Sequence, residues 1–278
     1  MTSRRRAAGG VDHRPIGVEN RLGVSAEESA AGAEFEGTWR RMGRASGYLA
    51  AACLVAATVL YLLDALDALG AGPTYHATTA GPLHDEADFW VAYFAHQHRI
   101  LWDIIGRDTL FPLAFIALMV TMLAARNVGP AGRRPEAQVM VVLFVVGGAL
   151  AALSDLIYLG AAEYWRTTGW SAEPAAKMVA VGRSSGALEA LTRWPEAAGF
   201  FILAGGLVCL ARVSVSWLAR LAYLEALLLL GIAFAEAMHA DTTYDIFSLL
   251  TGALVGPAVA AGVGWSLGRA AAPAAASA

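Results

Sequence analysis

The side chains best placed for proton transfer are carboxyl groups that adjoin or interrupt long apolar stretches. Asp155 directly follows the charge-free residues 137–154, and Glu225 and Glu236 interrupt the apolar segment 221–240. A charge at the centre of a membrane-spanning helix costs at least ~2.5 kcal/mol, so such residues face other helices or a polar cavity. Carboxyl groups held beside a bound molecule can donate and accept protons. We therefore predict acid and base roles for Asp103, Asp155, Glu196 and Glu236.

Side chains that could bind and orient a substrate flank these carboxyl groups. His96, Arg99 and Asp103 recur at intervals of three and four residues, which places them on one face of a helix. Polar and aromatic residues also cluster next to Asp155 and Glu196. The predicted substrate-binding residues are His96, Arg99, Tyr158, Arg193 and Trp194.

The segment 193–196 is predicted to begin a helix. Proline is favoured in the first turn of a helix, and a glutamate there interacts well with the positive end of the helix dipole. Pro195 and Glu196 fit that pattern. Arg193 also follows Glu189 by four residues, the spacing of an ordinary helical ion pair.

Glu236 and His239 form a Glu-x-x-His sequence, a spacing that metal-binding helix bundles use to direct a carboxylate and an imidazole at one ion. A divalent metal is therefore a candidate cofactor. An ion-paired or hydrogen-bonded polar core is the alternative interpretation. Glu225 lies on the same helical stripe, because eleven residues complete about three turns. Further ligands would come from His96 or His98 with Asp103, or from Asp155.

The elements that must position these residues are apolar and long. A helix needs about 20 apolar residues to cross ~30 Å of hydrocarbon. Six segments approach that requirement: 45–63, 109–125, 137–154, 197–211, 221–240 and 246–267. The predicted fold is an all-α polytopic membrane bundle of six transmembrane helices.

Arginine residues gather in alternate connections between the predicted spans. Short cytoplasmic connections of membrane proteins are enriched in lysine and arginine. The pattern predicts that both termini lie in the cytoplasm and that the protein is in the cell membrane. The arginines concerned are Arg40, Arg41, Arg44, Arg126, Arg133, Arg134, Arg212, Arg220 and Arg269.

The composition agrees with a membrane protein and excludes other classes. The 278 residues are 57% hydrophobic and 15% charged, with a mean hydropathy of +0.52. Residues 1–38 and 270–278 are predicted to be disordered cytoplasmic tails around a transmembrane domain at 39–269. The chain has no glycine-rich phosphate loop and no basic patch interleaved with aromatic residues, which argues against nucleotide hydrolysis and nucleic-acid binding.

Three functions fit these features. The first is a membrane-embedded enzyme that uses its carboxyl groups on a lipid or isoprenoid-type substrate, cyclisation being one such reaction. The second is a small proton- or cation-coupled permease, in which Glu225, Glu236 and His239 form a relay. The third is a non-catalytic sensor or assembly subunit. Because the polar residues gather in the outer half of the predicted bundle, a site open to one face is favoured. Such a site suits an enzyme better than a two-sided carrier, so the enzyme is the preferred function. The expected partners are the bilayer and a lipophilic small molecule; nothing specifies an oligomeric state.

Overall fold

The structure, a computed structural model, describes residues 26–128, 130–167 and 174–269. Within these ranges the regular elements are all helical. The chain divides at Phe35 into two units, and every contact given below lies within the second, Glu36–Ala278. The α-helices are α1 (Ala26–Ala65), α2 (Pro82–Arg99), α3 (Leu101–Asn127), α4 (Pro135–Thr167), α5 (Ala175–Val213), α6 (Ser216–Ala237), α7 (Asp241–Leu249) and α8 (Gly256–Arg269). A short 3₁₀ turn, Pro130–Arg133, precedes α4, and a π-helical turn, Leu250–Val255, joins α7 to α8.

Six helical segments in the described residues are long and apolar enough to cross a membrane. The prediction of an all-helical bundle with six helical segments long and apolar enough to cross a membrane is therefore confirmed. The sixth is formed by α7, the π-helical turn and α8 together, and the others lie in α1, α3, α4, α5 and α6. We call the end of the bundle that carries α2 the α2 end.

Helix α2 lies in the long connection between the first two spans and is not itself a candidate span. Gly81 precedes it with φ +93°, a conformation that glycine adopts readily, and Pro82 occupies its first turn. Arg183 of α5 donates to both carboxylate oxygens of Glu86 at 2.7 Å. This pairing holds the pKa of Glu86 below its usual range. Helix α2 is thereby fastened to α5.

The expectation that a helix begins at residues 193–196 is wrong. Helix α5 begins at Ala175, so Pro195 lies in its interior. The residues from Ala175 to Leu191 are rich in alanine, valine and leucine, and packing against α4 and α6 supports a continuous helix despite the proline.

Helix α1 already begins at Ala26, inside the segment predicted to be a disordered tail. Its first turns are rich in alanine and glutamate, which favour helix. The remainder of that predicted tail, residues 1–25, and the predicted tail at 270–278 lie outside the described residues. The tail boundaries stay predictions.

Helix α1 packs closely against α3 and α8. A Cβ atom added to Gly47 would lie 2.7 Å from the carbonyl oxygen of Ala260 and 3.0 Å from Cα of Gly264. Ser46 and Thr121 share a hydrogen bond of 2.9 Å between α1 and α3. Small residues at such contacts let helix backbones approach each other in lipid.

Helix α6 ends at Ala237, before His239. His239 has φ +53°, and the next residue, Ala240, donates its N–H to the carbonyl of Ala235 at 2.9 Å. This is the 6→1 hydrogen bond of a Schellman turn, with His239 in the left-handed position. The helical stripe expected from Glu225 to His239 therefore stops at Glu236.

Candidate functional site

A cavity of about 430 Å³ lies between the helices of the bundle. This volume is within the range of small-molecule sites. All six spans contribute to its wall, which is carboxyl-rich toward the α2 end and apolar beyond it. Seven carboxyl groups line it against two guanidinium groups: Asp108, Asp155, Glu189, Glu196, Glu225, Glu236 and Asp245 against Arg107 and Arg193.

Glu196 of α5 lies within reach of hydroxyl groups on two other helices. The hydroxyl of Tyr244 donates to its Oε1 at 2.6 Å, and Ser154 Oγ approaches Oε2 at 3.4 Å. Ser154 also donates to the carbonyl of Thr192 at 3.1 Å. These contacts fix the carboxylate of Glu196 between α4, α5 and α7.

Asp155 follows Ser154 on α4 and faces the same cavity. Its charged neighbours are Glu196, Asp108 and Arg107. No hydrogen bond to its carboxyl group is made by the residues that the structure describes. Asp155 therefore presents a carboxyl group to a molecule in the cavity, beside a second carboxyl group that is held in place.

Two arginines limit the negative charge at the α2 end. Arg107 approaches Asp108 (Nε to Oδ1, 3.2 Å) and Asp64 (Nη1 to Oδ2, 3.5 Å). Arg193 approaches Glu236 (Nε to Oε1, 3.6 Å). Both guanidinium groups thus lie where carboxyl groups are most numerous.

Tyrosine hydroxyl groups bind the carboxyl groups at the rim. Tyr61 of α1 donates to Asp245 of α7. Tyr93 of α2 donates to Glu189 at 2.6 Å, and burial raises the pKa of the Tyr93 phenol above its usual value. The polar wall is therefore assembled from helices far apart in the sequence.

Beyond this region the cavity is lined by aromatic and aliphatic side chains. Glu225 interrupts the apolar wall at the far end; it lies eleven residues from Glu236 on α6, roughly 16 Å along the helix axis. The cavity therefore suits an elongated, mainly apolar molecule. The apolar lining residues include Phe111, Phe115, Phe144, Phe200, Leu203 and Leu207.

The structure brings together half of the residues predicted for the site. Cavity-lining members are Asp155, Tyr158, Arg193, Glu196 and Glu236. The cavity wall does not include Asp103, His96, Arg99, Trp194 or His239.

Asp103, His96 and Arg99 lie at the junction of α2 and α3. The chain turns at Ile100, so the single helical face expected through these residues is interrupted. Arg99 Nη2 and His96 Nδ1 are 2.7 Å apart. Asp103 is fully buried, and neither carboxyl oxygen has a hydrogen-bond partner among the described residues.

Trp194 and His239 lie on the outside of the bundle, where 65% of Trp194 is exposed. With Arg193 and Glu236 they line a separate cleft of about 10 Å³, which holds at most one water molecule. A residue next to Arg193 on a helix necessarily points in another direction, which explains the position of Trp194.

The Glu-x-x-His spacing that suggested a metal site requires a helix through His239, and α6 ends before it. Arg193 Nη1 lies 2.9 Å from Nδ1 of His239, and Nε of the same arginine approaches Glu236. A guanidinium group therefore lies against both expected ligands. Within the described part of the chain, no group of three or more potential ligands could hold a metal ion.

Sequence reasoning did not assign Asp108 or Asp245 to the site. Both lie at the border of an apolar run: Asp108 directly precedes residue 109, and Asp245 directly precedes residue 246. A carboxylate at the end of a predicted span could therefore have indicated a candidate site residue. Its direction toward the cavity depends on how the helices are rotated, which the border position does not specify.

Residues 182–186 read Gly-Arg-Ser-Ser-Gly and match the GxSxG pattern of serine hydrolases. That pattern acts at a sharp turn between a strand and a helix. Here it lies inside α5, and Ser184 Oγ donates to the carbonyl of Ala180 at 2.8 Å. The match therefore lacks the geometry of a nucleophile.

No family model matches the chain, and neither the curated proteins nor the solved structures contain a significant match. The fold and the cavity themselves thus carry the functional argument.

Proposed function

We propose that this chain is a multi-pass membrane enzyme that uses carboxyl groups as acid and base on a lipophilic substrate. The observation that carries the proposal is Asp155. It faces the cavity with a carboxyl group that no described residue hydrogen-bonds, beside the fixed carboxylate of Glu196. A paired arrangement of this kind supplies one group to donate a proton and another to accept one.

The substrate class follows from the cavity wall. Aromatic and aliphatic side chains form most of the cavity beyond the carboxyl groups, so a hydrocarbon chain or ring system fits there. The faces of Phe and Tyr rings also stabilise a nearby positive charge. A lipid or isoprenoid whose reaction develops positive charge is therefore the substrate we favour.

We further propose that the protein resides in the cell membrane with both termini in the cytoplasm. The arginine-rich connections support this orientation through the positive-inside rule. The α2 end and the polar region of the cavity then face outward.

The enzymatic proposal is tested with the purified full chain in lipid nanodiscs and a panel of prenyl alcohols and unsaturated lipids. Products are followed by liquid chromatography and mass spectrometry. Asp155→Asn and Glu196→Gln should each lower turnover by about 100-fold or more, because a positioned acid or base contributes that much. Glu136→Gln is the matched control, since Glu136 does not line the cavity.

Turnover that survives both substitutions would exclude acid and base roles for these residues. A wild-type protein that binds members of the panel, carries them across a liposome membrane and leaves them unchanged would favour the permease instead.

A further inference from the structure

Glu225 is a buried carboxyl group at the far end of the cavity. Its side chain lines the cavity, only 5% of the residue is exposed, and Oε2 has no hydrogen-bond partner among the described residues. An isolated carboxyl group in apolar surroundings is costly unless something hydrogen-bonds it or neutralises it. A ligand that hydrogen-bonds the carboxyl group would remove that cost.

A second unsatisfied group lines the same end of the cavity. Thr251 Oγ1 is buried without a hydrogen-bond partner among the described residues. Thr251 belongs to the π-helical turn, in which Gly256 donates its N–H to the carbonyl of Thr251. Turns of this type occur often at functional sites. They displace the side chains that follow from the regular helical positions.

The glycine at 256 leaves room for the carboxyl group. A Cβ atom at Gly256 would lie 2.9 Å from Oε1 of Glu225. The carboxyl group of α6 therefore reaches the backbone of α8 at the point where the π-helical turn ends. Glu225 and Thr251 form one subsite, which we call the deep subsite.

Among the described residues, the deep subsite contributes a carboxyl group and no positively charged side chain. The two guanidinium groups that line the cavity lie with the carboxyl groups of the α2 end. No ion pair within the described ranges involves Glu225. A ligand with a positive charge and several N–H donors would satisfy both open oxygen atoms and neutralise the carboxylate.

We propose that the deep subsite binds the protonated amino group of a lipophilic amine. The proposal rests on the proposed function, because it names the substrate class of the same cavity: an elongated amine whose nitrogen lies at Glu225 and whose hydrocarbon framework extends toward Asp155 and Glu196. The roughly 16 Å that separates Glu225 from Glu236 along α6 sets the length over which such a molecule lies.

The proposal is tested by binding of decylamine to the full chain in detergent micelles, measured by native mass spectrometry at pH 7. Decanol and decanoate carry the same chain with a neutral and a negative headgroup. We expect decylamine to bind at least about tenfold more tightly than either, as expected for a hydrogen-bonded charge pair. Glu225→Gln should remove that preference and leave decanol binding unchanged. Glu225→Asp should restore part of the preference for decylamine. Thr251→Val should weaken the binding of decylamine by about tenfold.

Glu136→Gln is the control for a change of charge away from the cavity. Equal binding of decylamine and decanol by the wild type would overturn the proposal. So would an amine preference that persists in Glu225→Gln and is lost in Asp155→Asn, since the amine would then lie at the α2 end. Because Asp155→Asn is expected to lower turnover without changing the deep subsite, the enzymatic proposal and the amine proposal can fail independently.

Discussion

At the scale of single residues, Thr58 and Gly252 show how closely the wall of the cavity is packed. Thr58 of α1 is 2% exposed and donates its hydroxyl to the carbonyl of Leu54 at 2.8 Å. A Cβ atom at Gly252 would lie 2.1 Å from Oγ1 of Thr58 but 3.3 Å from its Cβ. The hydroxyl oxygen is thus the main atom that excludes a side chain at position 252.

Gly252→Ala should lower the free energy of unfolding by about 1–3 kcal/mol, the usual cost of overfilling a packed interior. Thr58→Ala removes the obstructing oxygen. The double variant should therefore recover at least about 1 kcal/mol relative to the sum of the single effects. The four free energies of unfolding in this double-mutant cycle are measured in detergent, by circular dichroism during a titration with sodium dodecyl sulfate. Strict additivity would contradict the contact.

At the scale of elements, the approach of α1 to α8 depends on backbone contact. Gly47 allows α1 to lie against Ala260 and Gly264, and Gly264 in turn faces the backbone of Arg44. Two helices that touch through their backbones gain many weak contacts in lipid, where no hydrophobic force drives them together.

Gly47→Ala should destabilise the protein by about 1–3 kcal/mol, because the backbones of α1 and α8 must separate to admit a methyl group. Gly160→Ala on α4 is the matched control. A Cβ atom there meets nothing within 4 Å, so alanine should stabilise its helix by up to about 1 kcal/mol. The effects of Gly47→Ala and Gly160→Ala are compared through the apparent melting temperatures of the purified variants in one detergent. Equal effects at both positions would argue against a close α1–α8 contact.

The sequence allowed the spans to be predicted, since long apolar runs have few alternatives to a membrane-spanning helix. It did not allow the start of α5 to be predicted. Proline is favoured in the first turn of a helix. Here the alanine-rich residues before Pro195 and the tertiary packing continue the helix through it. Helix α2 was predicted only at its end, from the spacing of His96 and Arg99. The rest of it has a mixed polar sequence that pairs with α5 through contacts such as Glu86 with Arg183, which only the fold brings together.

The candidate site was predictable only in part, because a carboxyl group beside an apolar run indicates a position near the end of a span but not the direction of its side chain. Asp155, Glu196 and Glu236 lie at the ends of apolar runs on spans, and all three line the cavity. Trp194 and His239 do not, because helix rotation and the end of α6 decide where side chains point. Apolar periodicity is weak for helices that contact lipid on one side and protein on the other, so rotation is poorly encoded in the local pattern.

At the scale of the whole molecule, the proposed orientation places α2 outside the cell and the α5–α6 connection in the cytoplasm. It is tested in a background with Cys53→Ala and Cys209→Ala. Thr79→Cys, ahead of α2, should react with a membrane-impermeant maleimide in intact cells. Ser216→Cys, an exposed position at the start of α6, should react only after the membrane is permeabilised. The reverse pattern of labelling would invert the topology.

The unbroken length of α5 has a mechanical consequence. Its 39 residues span roughly 58 Å, well beyond the ~30 Å of hydrocarbon. Arg183, near one end of α5, binds Glu86 of α2. Further along the same helix, Arg193 and Glu196 line the cavity. Because both points lie on one continuous helix, a tilt near Arg183 also shifts Arg193. Under the proposed orientation, a partner that displaces α2 from outside the membrane is therefore expected to displace the wall of the cavity as well.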